Sequence, residues 1–389
     1  MLRTLLILFL LLPAAASAQD RVSVGIYHGR PVTRLTLSPH ASGQVTAERA
    51  LLRGKVALTA SGGLVRCKER KALDGRKSVN LSAYGGGVWL SGPGLPRRLH
   101  KGDITITARG NRLRVTAMVP IEIYLQGVVS YEARDLSRPE AFKAQAVAAR
   151  TYALSKAQSH SREGFNLCDT PHCQFYAGFA DINPVAARAV MQTAGEIITY
   201  KGKTISAFYH SACGGFTEGI SAVWPYEDKP YLKAVQDGPA ARPYCSPATG
   251  FRWKKKITFS SLERALKRGG WLKDGEKISS VAVRGHGKSG RPLKLAVRAG
   301  GRVVEVSTSE FYHAVGRTLG WTAMPGNLFE LYSGKDYIML DGKGAGHGVG
   351  MCQWGAEGMA RKGFKYWEIL EHYYPGTRVE KMGKAGKEK

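Results

Sequence analysis

Acidic residues are scarce in this chain: 30 Asp and Glu stand against 57 Lys and Arg, a formal net charge of +27. Such an imbalance calls for anionic partners, and nucleic acid is the first to consider. The sequence lacks what that would require. It has no recognition helix, no zinc-finger spacing and no aromatic RNA-binding signature, so no nucleic acid is expected, and anionic cell-envelope polymers suit the charge better. Long apolar runs are missing after residue 18, which leaves no later segment able to span a bilayer. No fixed repeat is evident, which excludes an architecture of stacked repeats. Cysteine is sparse as well, at six residues.

The first eighteen residues are the exception. MLRTLLILFLLLPAAASA joins a basic start at Arg3 to an apolar stretch and the small residues Ala16, Ser17 and Ala18. This is the pattern of a secretory signal peptide, with cleavage expected after Ala18. The apolar run is short for a spanning helix, so membrane contact is expected only through this leader before cleavage. The mature protein is then secreted or periplasmic, in the cell envelope, and loses only Arg3 of its positive charge. In that oxidising compartment some of Cys67, Cys168, Cys173, Cys213, Cys245 and Cys352 are expected to pair.

What is present reads as ordinary globular protein, 43% hydrophobic and 22% charged, long enough at 389 residues for one large domain or two ordinary ones. Residues 20 to about 118 are β-rich: RVSVGIYHG, LRGKVALTAS, SVNLSAYGGGVWLSG and DITITARGNRLRVTAM alternate or cluster strand formers between turn residues, and ARGNRLRV reads as a hairpin. After VPIEIYLQGVVSYEA comes the clearest helix. Ser137 and Glu140 stand as in a capping box, Pro139 suits the first turn, and Phe142, Ala146, Ala149 and Ala153 share a face. NPVAARAVMQTAG predicts a second helix, capped by Asn183 and stopped at Gly195. EIITYKGKTISAFYHSACGG predicts a hairpin. Helix and strand then alternate to about 330, and a glycine-rich loop leads into short helices. The pattern is α+β: a β-rich N-terminal region followed by a mixed domain of hairpins and interleaved helices.

Four stretches carry a resemblance: VPIEIYLQGVVSYEA with EAFKAQAVAARTYAL, CDTPHCQFYAG, FYHSACGGFTEG, and GAGHGVGMCQWGAEGMARKGFKYWEILEHYYPGT. In order and spacing the chain resembles the SpoIID/LytB family, exported proteins that act on bacterial peptidoglycan. The resemblance covers roughly residues 100 to 377. It implies a signal peptide at 1–18, a β-rich lead at 19–99, a SpoIID-like catalytic domain at 100–377 and a basic, disordered tail at 378–389. The family includes lytic transglycosylases that cut glycan strands lacking peptide stems, and non-catalytic enhancers of cell-wall amidases. Peptidoglycan glycan strands and a cell-wall amidase are therefore the expected partners. A purely structural envelope protein is a third reading.

Lytic transglycosylation breaks the bond from N-acetylmuramic acid to N-acetylglucosamine. The muramic C6 hydroxyl attacks C1 and leaves a 1,6-anhydro sugar. Because that nucleophile is intramolecular, one acid suffices in principle. Glu132, after GVVSY, matches the family's catalytic glutamate. Val128, Val129 and Tyr131 can desolvate it and raise its pKa, against the pull of a following helix N-terminus. Where the family usually reads Glu-Met-Pro, this chain has Glu132-Ala133-Arg134, and Arg134 would lower that pKa. Glu122 and Glu140 are the alternative acids, Glu140 being better used as a cap.

His347 in its glycine-dense loop is expected to hydrogen-bond a sugar or orient Glu132. Gln353 offers an amide, and Trp354 either a stacking face or a core side chain. His210 and Ser211 sit near a tight turn, without the Asp pattern of a Ser-His hydrolase. Arg150, well inside the alanine-rich helix, is expected to pair with a carboxylate and contribute to substrate binding. Cys168, His172 and Cys173 can hold zinc with His160 as a fourth ligand; a Cys168–Cys173 disulfide is the alternative. Cys213 and Cys245 look like a separate disulfide worth about 2–4 kcal/mol. Cys67 and Cys352 are unassigned, Cys352 being a possible further metal ligand. N-terminal sequencing of protein recovered from the envelope is expected to begin at Gln19; a sequence beginning at Met1 would overturn the leader.

Overall fold

The computed structural model describes residues 21–383. The leader at 1–18 and the tail from 384 onward lie outside the described residues. The expected α+β class holds, with a sheet-rich N-terminal part and eight helices among the described residues. The chain divides into two compact units. One runs to Tyr124 and includes His160–Asp169; the other comprises Leu125–Ser159 and everything from Thr170.

The first unit is a ten-stranded sheet. Eight of the strands form the path Leu167–Cys168, Arg21–Ile26, Arg112–Pro120, Leu95–Arg109, Ser78–Gly92, Arg34–Pro39, Val56–Ser61, Leu64–Arg66; Thr46–Ala47 and Ala50–Leu51 lie off it, Thr46–Ala47 pairing with Ser78–Gly92. Leu167–Cys168 lies parallel to Arg21–Ile26, and the neighbours further along are antiparallel. Period-two burial explains the pairing. Ile104, Ile106 and Ala108 on one strand and Leu113, Val115, Ala117 and Val119 on the next are buried, with less buried residues, polar except for Met118, between them. The expected ARGNRLRV hairpin forms, with Arg109 opposite Arg112. The returning segment His160–Asp169 is tied in by Asp169, whose carboxylate accepts the Tyr27 N–H (2.7 Å), the His28 N–H (3.0 Å) and Arg98 Nη1 (2.5 Å). The β-rich unit therefore does not end at residue 99. The strand Leu95–Arg109 runs through that position and is held on both sides.

Helix α1, Ile121–Glu132, crosses the division between the units. The stretch ending in Glu132 is thus helical, and Glu132 closes a helix, not a strand. Its buried residues explain this: Ile121, Tyr124, Leu125, Val128 and Val129 recur at helical spacing.

In the second unit, α2 (Pro139–Ser155) is buried almost all round, from Ala141 through Ala149 and on to Arg150, Thr151 and Ala153. Its alanines let α3 (Pro184–Gln192), the strand Glu196–Tyr200 and the later helices approach closely. Asn183 caps α3 as expected, accepting from Val185 N–H at 2.8 Å and Ala186 N–H at 3.3 Å. Glu196–Tyr200 and Lys203–Thr204 form the expected hairpin. Arg378–Lys381 pairs with Glu196–Tyr200, so the segment expected as tail from 378 begins as a strand.

After the short α4 (Ile220–Val223), two three-stranded antiparallel sheets pack with α5 (Phe259–Arg268) and α6 (Thr308–Leu319). They share a core that includes Leu262, Leu295, Val297, Phe311 and Leu340. α7 (Gln353–Arg361) and α8 (Tyr366–Tyr373) complete the unit. No described helix is long and apolar enough to cross a membrane.

The start of α2 is capped differently from the expected Ser137–Glu140 box. Arg138 is the N-cap and makes no side-chain cap bond. The acceptor comes from α7: Glu357 takes the Ser137 hydroxyl (2.6 Å) and the N–H groups of Ser137 and Arg138 (both 3.0 Å). Glu140 is drawn away, accepting from Lys143 (2.8 Å) and from the Tyr366 N–H (3.0 Å) at the head of α8. Burial pushes the Glu357 carboxyl up, but the donors from Ser137, Arg138 and Arg361 outweigh it and hold it below the usual glutamate range. Glu357→Ala is expected to cost about 2 kcal/mol in urea unfolding at neutral pH. With its folded pKa below the unfolded one, the wild-type advantage is present above the unfolded pKa and lost as pH falls through the folded value.

Candidate functional site

The second unit carries a cavity of about 330 Å³ lined by Tyr131, Glu132, Asp135, Phe175, His210 and Trp354 among others. Each side chain arrives for a local reason. α1 ends at Glu132, and the turn to α2 supplies Arg134, Asp135 and Leu136. The segment after Cys173 passes beneath, and its Phe175 N–H donates to Glu132 Oε1 at 2.7 Å. Tyr209–His210 pairs in parallel with Met351–Cys352, setting Tyr209 opposite Met351 and His210 opposite Cys352. That pairing brings His210 and Ser211 together with Gln353 and Trp354 at the cavity wall. Gly350 permits it: its φ is +72°, and a Cβ there would collide with the Phe208 carbonyl.

Desolvation raises the Glu132 carboxyl above its usual range, and the Phe175 N–H pulls back only part of that. Its place in the last turn of α1 works in the same direction, since the carbonyl end of a helix disfavours negative charge. Arg134 is exposed and sits 6.0 Å from the Tyr131 ring centroid; it is not among the causes acting on Glu132. Gln353 Nε2 donates to the Glu132 carbonyl (3.1 Å) and to Gln145 Oε1 (3.2 Å), fixing the end of α1 from below. Tyr131 and Phe175, with ring centroids 4.7 Å apart, form an aromatic wall, and the partly buried Trp354 supplies another face.

The two histidines are fixed neutral. His347 Nε2 lies 2.9 Å from the Tyr209 carbonyl, and its Nδ1 accepts the Val349 N–H at 3.1 Å. Both ring nitrogens serve the backbone, so His347 neither lines the cavity nor reaches Glu132, contrary to expectation. Desolvation pushes its pKa down to about 4. His210 donates Nδ1–H to the Val349 carbonyl at 3.2 Å. Its buried Nε2 has no partner among the described residues, and desolvation, with His347 and Arg291 nearby, holds the ring well below its usual pKa. That nitrogen is enclosed, so the ring forms part of the wall without presenting it to the cavity.

Other expected residues fall elsewhere. Arg150 is fully buried and donates to the backbone carbonyls of Glu196 (3.0 Å) and Val190 (3.2 Å), joining the end of α3 to the next strand; it does not line the cavity. Glu122 lies in the first turn of α1, at the far end of that helix from Glu132. Of the zinc set, His160 and Cys168 belong to the first unit, where His160 Nδ1 meets Glu163 Oε1 at 2.6 Å. His172 and Cys173 belong to the second, with Cys173 Sγ 3.5 Å from His172 Nδ1. The expected Cys213–Cys245 disulfide is not formed: the sulfurs stand 3.6 Å apart, far beyond a bond of about 2.05 Å. Asp135, Phe175 and Tyr209 were missed as cavity residues. Phe175 and Tyr209 lie inside quoted motifs, whereas no sequence signal marks Asp135.

An acid with a raised pKa beside aromatic faces can grip a ring-shaped ligand and move one proton. Comparison with known proteins identifies the setting. The family model described as Stage II sporulation protein matches residues 109–200, and a model of a domain of unknown function matches 245–350. An uncharacterized protein of Brachyspira hyodysenteriae is 32% identical over 288 residues, 74% of each chain. Stage II sporulation protein D of Bacillus amyloliquefaciens is 31% identical over 283 residues, 67% of this chain and 74% of its own. The amidase enhancer of Bacillus subtilis is 29% identical over 295 residues, 66% of this chain and 40% of its own. This chain belongs to the SpoIID family.

Because the native state favours the protonated Glu132, its contribution to stability is present below the unfolded pKa and lost as pH rises through the raised folded one. Glu132→Gln stays neutral and still accepts from Phe175. Its melting temperature is expected to rise relative to wild type as pH goes from about 4 to about 8, the ordinary glutamate pKa being about 4.3. A gap that is constant with pH would mean an unperturbed acid.

Proposed function

We propose that this protein is an exported lytic transglycosylase that cleaves peptidoglycan glycan strands stripped of their peptides. The observation that carries the reading is Glu132: a single carboxyl with a raised pKa in a cavity with aromatic faces. In the proposed reaction Glu132 gives its proton to the glycosidic oxygen as the bond to muramic acid C1 breaks. The C6 oxygen bonds to C1, and its proton returns to Glu132, so the acid is regenerated and no water is used. Tyr131, Phe175 and the partly buried Trp354 would supply apolar faces for the sugar rings. The other carboxylate of the lining, Asp135, is exposed on the α1–α2 turn; a reaction without external water does not need it. The surplus of basic residues favours the anionic envelope as the place of work. Zinc at Cys168, His172 and Cys173, with His160, is a separate proposal from their spacing.

A second reading is favoured by the relative named amidase enhancer: the chain would bind a cell-wall amidase and stimulate it without cutting glycan. One experiment separates the two. Denuded glycan is incubated with the mature protein, and products are read by mass spectrometry, with and without a partner amidase. Under the first reading 1,6-anhydromuramyl products accumulate, Glu132→Gln lowers their release by about 10²-fold or more, and Asp135→Asn leaves it largely intact. No anhydro product, together with equal stimulation of the amidase by wild type and Glu132→Gln, would establish the enhancer.

A further inference from the structure

A second cluster of metal-ligand types lies in the same unit, and the proposed chemistry makes no use of it. The Sγ atoms of Cys213, Cys245 and Cys352 and a carboxylate oxygen of Asp237 all lie within 4.8 Å of one another. All four residues are fully buried. We propose that they form a closed, four-coordinate zinc site with a structural role.

The geometry suits that ion. Cys213 and Cys245 Sγ are 3.6 Å apart, close to the ~3.8 Å edge of a tetrahedron with Zn–S bonds of about 2.3 Å. The sulfurs are also dressed as thiolates are. Cys352 Sγ accepts the N–H groups of Cys213 and Gly355, each at 3.2 Å, and Cys213 Sγ accepts the Gly215 N–H at 3.4 Å. Asp237 is oriented from outside: Oδ2 accepts the Cys245 N–H at 2.9 Å, and Oδ1 accepts the Tyr373 hydroxyl. Outer donors of this kind aim ligands at a metal. Gly355 keeps the space open, since a Cβ there would strike both the Tyr373 hydroxyl and Asp237 Oδ1.

Charge gives an independent reason. Three thiolates and a carboxylate around Zn²⁺ carry a net charge of about −2, which a buried site must offset. Arg291 is 2% exposed, and its guanidinium donates to neutral oxygens: Cys213 O (2.6 Å), Phe216 O (2.7 Å) and Asn327 Oδ1 (2.9 Å). Its positive charge acts on Cys213, on the buried Glu218 carboxylate, and on Cys352 and Cys245. A buried cation beside the cluster offsets part of the negative charge that such a metal site carries. On binding, each thiol gives up its proton to solvent, and no redox step is involved.

The ligands come from three separate stretches of chain: Cys213 beyond the Tyr209–His210 strand, Asp237 and Cys245 from one loop, and Cys352 at the N-cap of α7. Cys213 lies just beyond His210 and Ser211, and Cys352 immediately precedes Gln353 and Trp354. The ion would therefore pin the wall of the Glu132 cavity from behind, whatever reaction the cavity serves.

The test uses the full mature chain purified without reductant or chelator. Metal is measured by elemental analysis, and cysteines are mapped by alkylation during acid unfolding. Wild type is expected to yield Cys213, Cys245 and Cys352 as free thiols. His172→Ala/Cys173→Ser removes the other candidate set yet is expected to keep about one zinc per chain. That zinc is expected to be lost in Cys245→Ser and Asp237→Asn, with a lower melting temperature. Cobalt in its place should show intense thiolate-to-metal absorption. A disulfide joining any two of the three cysteines in wild type, or no zinc in the His172→Ala/Cys173→Ser protein, overturns the proposal even if the Cys245 variant fails to fold.

Discussion

Two residue pairs hold the candidate site together. The parallel bridge of Tyr209–His210 with Met351–Cys352 joins segments separated by more than a hundred residues. Everything on the far wall of the cavity follows from it: His210 and Ser211 on one strand, Gln353 and Trp354 where the other turns into α7. Gln353 then reaches under the last turn of α1 and holds the Glu132 carbonyl. So short a pairing has little strength of its own. It survives because a glycine lets the chain pass the Phe208 carbonyl and because Tyr374 donates its hydroxyl to that same carbonyl at 2.6 Å.

The electrostatics of the site divide the work between groups that titrate and groups that do not. Glu132 is the one whose proton is held more firmly than usual, by desolvation. The histidines are pinned in single tautomers by backbone partners and pushed far from neutrality-range titration. Arg150 spends its guanidinium on carbonyls at the end of α3, and Arg291 on carbonyls and an amide around the cysteine cluster.

Much of this was legible in the sequence where local rules govern. The Asn183 cap, the two-residue hairpin after Arg109 and the period-two strands are set by residues next to one another, and they appear as read. The motif glutamate, Ser211 and Gln353 do converge on one cavity. The failures share a cause: the deciding partner is remote in sequence. Ser137 and Glu140 have the spacing of a capping box, yet Glu357, more than two hundred residues away, takes the donors, and Tyr366 takes Glu140. His347 looked like a ligand in its glycine loop, but the Tyr209 carbonyl and Val349 N–H claim both nitrogens. The apolar run before Glu132 was assigned no element from the sequence, although its buried positions follow the helical period. Cys213 and Cys245 looked like a disulfide pair, and Cys352, adjacent in space only, makes a third member of the cluster.

The order of the chain has a consequence for how the protein comes into being. The acid is at position 132, its backbone donor at 175, and the side chain that fixes its helix end at 353, which is 221 residues downstream. A polypeptide interrupted between residue 211 and the glycine loop holds the glutamate, the alanine-rich helix and the His210–Ser211 side of the wall, but neither Gln353 nor Trp354. Contacts of such long range form late, after the loops between them have closed. The enclosure of the cavity is therefore completed only by the last tenth of the protein.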